Sequence, residues 1–188
     1  MIIISIDVGI RNLAYVIIEV IGLNDQKILE WDVLELCAKD VKASCVDNVV
    51  IGENIKILMN EKYTPYVFDK IIIENQIGQN AIKMKTIQGM INMYFIMNGY
   101  NHEQILNYNA VHKLKPFIKK GTKTTYAERK KMSKEITQQL CDKYYGSSML
   151  EYYKNFKKKD DLADCLLQGL DYIKKQGLND DSFYLFIK

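Results

Sequence analysis

Residues 2–36, IIISIDVGIRNLAYVIIEVIGLNDQKILEWDVLEL, carry the pattern that decides the fold. IIISID (2–7) is an apolar run closed by a carboxylate, and VGIRN after it reads as a tight turn. LAYVIIEVI (13–21) is a second run rich in β-branched residues, and KILEWDVLEL (27–36) is a third beyond a hairpin connection at Gly22 to Gln26. Strands joined by connections this short pair antiparallel, so the chain is expected to open on a three-stranded meander.

Outward from the meander the period changes. Residues 44–62 carry Val46, Val49, Val50, Ile55, Ile57 and Leu58 at helical spacing. FDKIIIEN (68–75) is a short buried strand that again ends in a carboxylate, residues 80–98 read as a helix, and ILNYN (105–109) as a fifth strand. Lys113 to Thr125 reads as a loop, Tyr126 to Tyr145 as a basic amphipathic helix, and Asp160 to Lys175 as a last helix with Leu162, Leu166 and Leu170 on its apolar face. Residues 146–158 take no assignment. The order βββ-α-β-α-β-α-α predicts an α/β protein of the ribonuclease H-like plan. Its five-stranded mixed sheet would join the antiparallel meander to two parallel strands, flanked by helices.

At 188 residues and 48% apolar, the chain fits a single domain over 1–188 with a substantial core. No apolar run approaches the roughly 18 residues of a membrane span. The opening run is cut short by Asp7, so it reads as a strand and not as a targeting segment. Cys37, Cys45, Cys141 and Cys165 have no CxxC spacing, which argues against zinc and for reduced thiols in an intracellular setting. Net charge is +3, but residues 111–159 hold 14 Lys or Arg against 4 Asp or Glu, a balance of +10 that leaves −7 elsewhere. Such asymmetry points to a polyanionic partner.

The carboxylates carry the chemistry. Asp7 closes strand one and Glu74 strand four; if those strands are parallel neighbours, both acids reach one edge of the sheet. Asp161 and Asp164 are three apart on the last helix and share a face. Taken singly, each is more ordinarily a turn former, a cap or a surface acid. Gathered together they would repel one another, and divalent cations with a preference for oxygen, Mg²⁺ or Mn²⁺, relieve that repulsion. Two such ions can activate water and stabilise the leaving oxygen of a phosphodiester. Asp160 reads as a helix cap or an outer acid.

IDVGIRNLAYVIIE (6–19), IIIENQ (71–76) and KKKDDLADCLLQGL (157–170) resemble the three acidic motifs of RuvC-type Holliday junction resolvases, in the branch of poxviruses, other large DNA viruses and fungal mitochondria. The resemblance runs from residue 2 to about 173. It implies a homodimer that cuts four-way DNA junctions symmetrically with Mg²⁺ or Mn²⁺, two ions per site, and with Asp7, Glu74, Asp161 and Asp164 as ligands. It also implies a lysine near the scissile phosphate. In AERKKMSKE (127–135) the preferred position is Lys131, with Lys130 beside it. No small-molecule cofactor or membrane is implied. A mitochondrial member would carry a transit peptide, and this chain opens on strand one. That favours the viral branch or a processed form, and the expected setting is intracellular: a cytoplasmic viral replication site if the source is a cytoplasmic DNA virus, with mitochondria the lesser expectation.

DNA contacts are expected from Arg11, Gln76, Lys113, Lys115, Lys119, Lys120, Lys123, Arg129 and Lys134. Lysine supplies charge with little base-edge readout, which suits recognition of junction shape. Tyr126, Tyr152 and Tyr153 are candidates for stacking on unpaired bases, though packing is the commoner role of a tyrosine. The helix at 80–98 is apolar on more than one face, with Met84, Met90, Met93 and Met97, and its surplus fits a dimer surface. Three other classes compete. An actin-like kinase needs a second phosphate loop and a Gly-Gly pair that the chain lacks. A ribonuclease H acting on RNA–DNA hybrids shares the acidic chemistry. A non-catalytic nucleic-acid-binding module would lose nothing on alanine substitution of Asp7 or Asp161.

Overall fold

The computed structural model describes all residues except 39, 43–44, 79–80, 110–112, 119–123 and 186–188. Its sheet has five strands in the order β3-β2-β1-β4-β5. The meander is β1 (Ile2–Asp7), β2 (Asn12–Gly22) and β3 (Asp25–Glu35), each pair antiparallel. The two-residue turn between β2 and β3 places Asn24 at φ 57°, a left-handed conformation that asparagine tolerates. β4 (Lys70–Glu74) runs parallel to β1, with Ile73 opposite Ile6, and β5 (Ile105–Tyr108) runs parallel to β4. Parallel strands need crossovers, supplied here by α1 (Asn48–Tyr63) and α2 (Ile82–Met97).

Strand alternation divides the core into two layers. Ile4, Ile6, Leu13, Tyr15, Ile17, Ile71 and Ile73 face α1 and α2, meeting Ile51, Ile55, Met59, Ile87, Ile91 and Phe95. Ile3, Ala14, Val16, Ile18, Ile72 and Trp31 face the opposite layer. That layer is built from α3 (Tyr126–Leu140), α4 (Gly146–Asn155) and α5 (Lys159–Lys175). A helix over 160–175 is thus where the apolar stripe placed it, while Tyr126 to Tyr145 is not one uniform helix. After Leu140 the coil widens into a π turn, Cys141–Tyr145, and Gly146 at φ 83° then breaks the direction. That angle is open to glycine at little cost. The unassigned 146–158 region contains α4, whose Tyr153 stacks on Trp31 with centroids 5.4 Å apart and planes 2° apart. No described helix is long and apolar enough to cross a membrane.

Two local devices fix the helices that matter for the site. Thr125 and Glu128 close a reciprocal capping box that starts α3, worth on the order of 1 kcal/mol. Trp31 Nε1 donates to the Leu162 carbonyl at 3.1 Å, tying β3 to the first turns of α5.

Candidate active site

Because β1 and β4 are parallel neighbours, Asp7 and Glu74 emerge side by side at the carboxyl edge of the sheet. The N-terminal half of α5 crosses that edge. Asp7, Glu74, Asp161 and Asp164 therefore line one cleft of about 690 Å³. Between the acids lies Lys113, whose Nζ stands 2.7 Å from Asp164 Oδ1. Tyr126, Arg129 and Lys130 of α3 form the opposite wall.

The charges in the cleft are poorly balanced. Burial drives the Asp7 carboxyl well above its usual range; Glu74 adds to this through its charge and a hydrogen bond, then Asp164, with Lys113 opposing. Burial and the neighbouring Asp160 raise Asp161, against Lys158 and Lys130. For Lys113, burial disfavours the ammonium, but Asp164, Asp7 and Glu74 outweigh it and hold its pKa above the ordinary lysine value. The Lys113 ammonium thus faces three carboxylates, and the burial that penalises Asp7 is offset by it only in part. All the donors are carboxylate oxygens, the set favoured by hard divalent ions. Among the described residues no three His, Cys, Asp or Glu side chains yet converge on one point. Binding an ion would require the acids to draw in and Asp164 to give up Lys113.

The two lysines singled out from the sequence separate. Lys130 lies on the cleft wall, bonded to Asp160 at 2.8 Å, and its ammonium is strengthened chiefly by that bond. Lys131, one residue on, is 76% exposed and pairs with Glu135 at 3.8 Å, so the structure does not bring it to the acids. The residue that the sequence reading placed only among DNA contacts, Lys113, is the one inside. Asp160 does not cap α5: it sits within the first turn, where burial raises its carboxyl but the Lys130 bond prevails and lowers it.

The other candidates are scattered. Gln76 Nε2 donates to Glu74 Oε2 at 3.0 Å, and its backbone N–H donates to Gln88, so it steadies a carboxylate. The Arg11 guanidinium donates to the Val41 carbonyl. Arg129 lines the cleft and also donates to the Thr124 carbonyl at 2.7 Å. Lys115 and Lys134 are exposed, while Lys119, Lys120 and Lys123 lie outside the described residues. Tyr153 is buried against Trp31 and so is not free to stack on a base; Tyr152, 37% exposed, donates to the Trp31 carbonyl away from the cleft, and Tyr126 is 67% exposed on the cleft wall.

A five-stranded mixed sheet of this order, flanked by helices on both faces, is the ribonuclease H-like fold. Residues 1–176 match the model of the poxvirus A22 protein family. The chain belongs to that family, the poxvirus Holliday junction resolvases, which are endonucleases. The fold agrees. The fowlpox virus resolvase in complex with Holliday junction DNA superposes with a TM-score of 0.63 at 21% identity, over 94% of this chain and 99% of that one. The yeast mitochondrial Holliday junction resolvase gives 0.66 at 18% identity, over 94% and 80%. An uncharacterized protein of Acanthamoeba polyphaga mimivirus is 29% identical over 136 residues, 64% of this chain. That match spans about a third of the mimivirus protein's length (32%).

Proposed function

We propose that the chain resolves four-way DNA junctions, hydrolysing symmetrically placed phosphodiester bonds with two divalent cations, Mg²⁺ or Mn²⁺, held by Asp7, Glu74, Asp161 and Asp164. The observation that carries this reading is that four carboxylates, from β1, β4 and α5, line one cleft, with Lys113 seated beside Asp164. Bound there, the cations would supply an activated water and stabilise the leaving oxygen. The protein's own groups do the rest. Glu74 is oriented by Gln76. Lys113, released from Asp164, is within reach of a phosphate lying in the cleft and would stabilise the charge that builds on it. Lys130 and Arg129 on the opposite wall would hold the strand, with Lys134 and Lys115 adding charge outside.

Two copies acting together would account for symmetric cuts. Ile82, Met93, Ile96 and Met97 leave α2 exposed by 74, 51, 51 and 77%. Met93 and Met97, with Met90 and Tyr94, border a groove between α1 and α2 of about 450 Å³. An apolar helix surface of this kind supports a second copy seated against it.

The test is incubation of the purified chain with four-way DNA, linear duplex and an RNA–DNA hybrid, in Mg²⁺ or in EDTA. Paired symmetric nicks confined to the junction and lost in EDTA are expected. Cleavage of the hybrid alone, or cleavage in EDTA, would overturn the reading.

A further inference from the structure

Asp161, Asp164 and Gln168 stand at i, i+3 and i+7 of α5, on one stripe of the helix. Gln168 is 1% exposed. Its Nε2 donates to Ser5 Oγ at 3.1 Å and to the Ile6 carbonyl at 3.1 Å, and lies 3.4 Å from the Ile72 carbonyl. Ile6 immediately precedes Asp7, and Ile72 stands two residues before Glu74. A single amide therefore joins the three elements that bear the acids, within four residues of a carboxylate on each.

Packing alone does not ask for an amide there. Ser5 apart, the surrounding α5 layer is apolar, and a buried amide is unfavourable unless it is bonded. The β1–β4 pairing already has its own ladder, so the strands do not need the amide either. What the ladder leaves undetermined is the sliding and rotation of α5 over the strand ends. Gly169, the next residue, sets the height. A Cβ placed on it would stand 3.2 Å from both Ser5 Cβ and Ile18 Cδ1, tighter than ordinary contact.

We propose that Gln168 is a positioning residue for the nuclease site: with Gly169 it fixes where α5 presents Asp161 and Asp164 to Asp7 and Glu74. Metal-supporting geometry must be held to about 0.5 Å, which directional bonds provide and apolar contact does not. The inference rests on the metal-site reading above.

The experiment compares wild type with Gln168→Met, which keeps length and loses the donors, and with Gly169→Ala, which keeps the amide and lifts the helix. Mn²⁺ uptake is measured by titration calorimetry, four-way-junction binding in EDTA, and kcat and KM in Mg²⁺. Gln168→Met should bind Mn²⁺ about tenfold more weakly, as loss of a group supporting metal ligands generally does. Its kcat should fall alongside, with junction affinity and KM unchanged. Gly169→Ala should move the same way by a smaller factor. If either folded variant binds Mn²⁺ and turns over like wild type, the inference falls. Should Gln168→Met fail to fold, Gly169→Ala decides alone. A wild-type chain that takes up no Mn²⁺ would overturn the metal-site reading and this inference with it, whereas equal uptake by wild type and variants overturns this inference only.

Discussion

The two faces of the sheet are held in different ways. On the α5 face, directional bonds pass through the core: Gln168 to β1, Trp31 to the Leu162 carbonyl, and Tyr108 to Asp171 at 2.7 Å. On the α1–α2 face such bonds run round the margin, Asn54 to the Leu36 carbonyl, Tyr94 to Asn60 and Lys62 to Glu30, and the centre is filled by interlocking side chains. Tyr63 stacks on Phe95 with centroids 6.1 Å apart, Phe68 meets both edge-on, and Met59, Ile87 and Ile91 fill between. Apolar contact is nearly indifferent to small slides, whereas a hydrogen bond is lost within a few tenths of an ångström. The face that presents the four cleft carboxylates is registered through its core; the face that shows spare methionines to solvent is packed at its centre and bonded only round its margin.

The largest effect expected from breaking this contrast is on the registered face. Asp164→Asn should reduce junction cleavage to the detection limit while gel-shift affinity in EDTA persists, because the basic wall is untouched. Loss of binding by a folded variant would mean the DNA lies elsewhere. Lys113→Met should lower kcat by about 10²-fold, the scale of losing one preorganised stabilising group, whereas Lys131→Met should leave kcat near wild type. Single-turnover rates on a labelled junction separate the two, and the reverse ranking would return the role to Lys131.

On the packed face, Met93→Glu with Met97→Glu should convert a dimer to a monomer in analytical ultracentrifugation and turn paired cuts into unpaired nicks. Thermal stability should hardly change, since both side chains are already more than half exposed. An unaltered sedimentation coefficient would place the partner copy on another surface. The smallest effect is on stability. Asp7→Asn removes the most heavily penalised charge in the cleft and should raise the melting temperature of the metal-free protein, by roughly 2–4 °C for each kcal/mol relieved. Mg²⁺ should then stabilise wild type and not the variant, as differential scanning fluorimetry would show.

The meander and the helix-linked strands were legible because alternation and β-branching are local signals. The parallel placement of β1 and β4 followed from element order. Two features were not legible. The helix beginning at Tyr126 keeps its propensity through QQLCDKYY, and only the φ of Gly146, with Tyr153 docking on Trp31, shows where it must turn. Lys113 was hidden among equivalent lysines because its partner is 51 residues away, a closeness made by topology alone. The sequence favoured Lys131 over Lys130, and it is the burial of α3 that separates them. Ser133, Ile136, Thr137 and Leu140 form the buried stripe of α3. Stepping back three and four residues from Ser133 selects Lys130 and Arg129, and leaves Lys131 outside.

The chain has one tryptophan, and it is 4% exposed, stacked on Tyr153 and bonded to the carbonyl of a residue lying between Asp161 and Asp164. Its indole emission is therefore a native optical gauge of α5. Detachment of that helix would wet the ring and shift its fluorescence to the red before the α1–α2 side had changed at all, so the two faces can be timed against each other in a stopped-flow trace without adding a label.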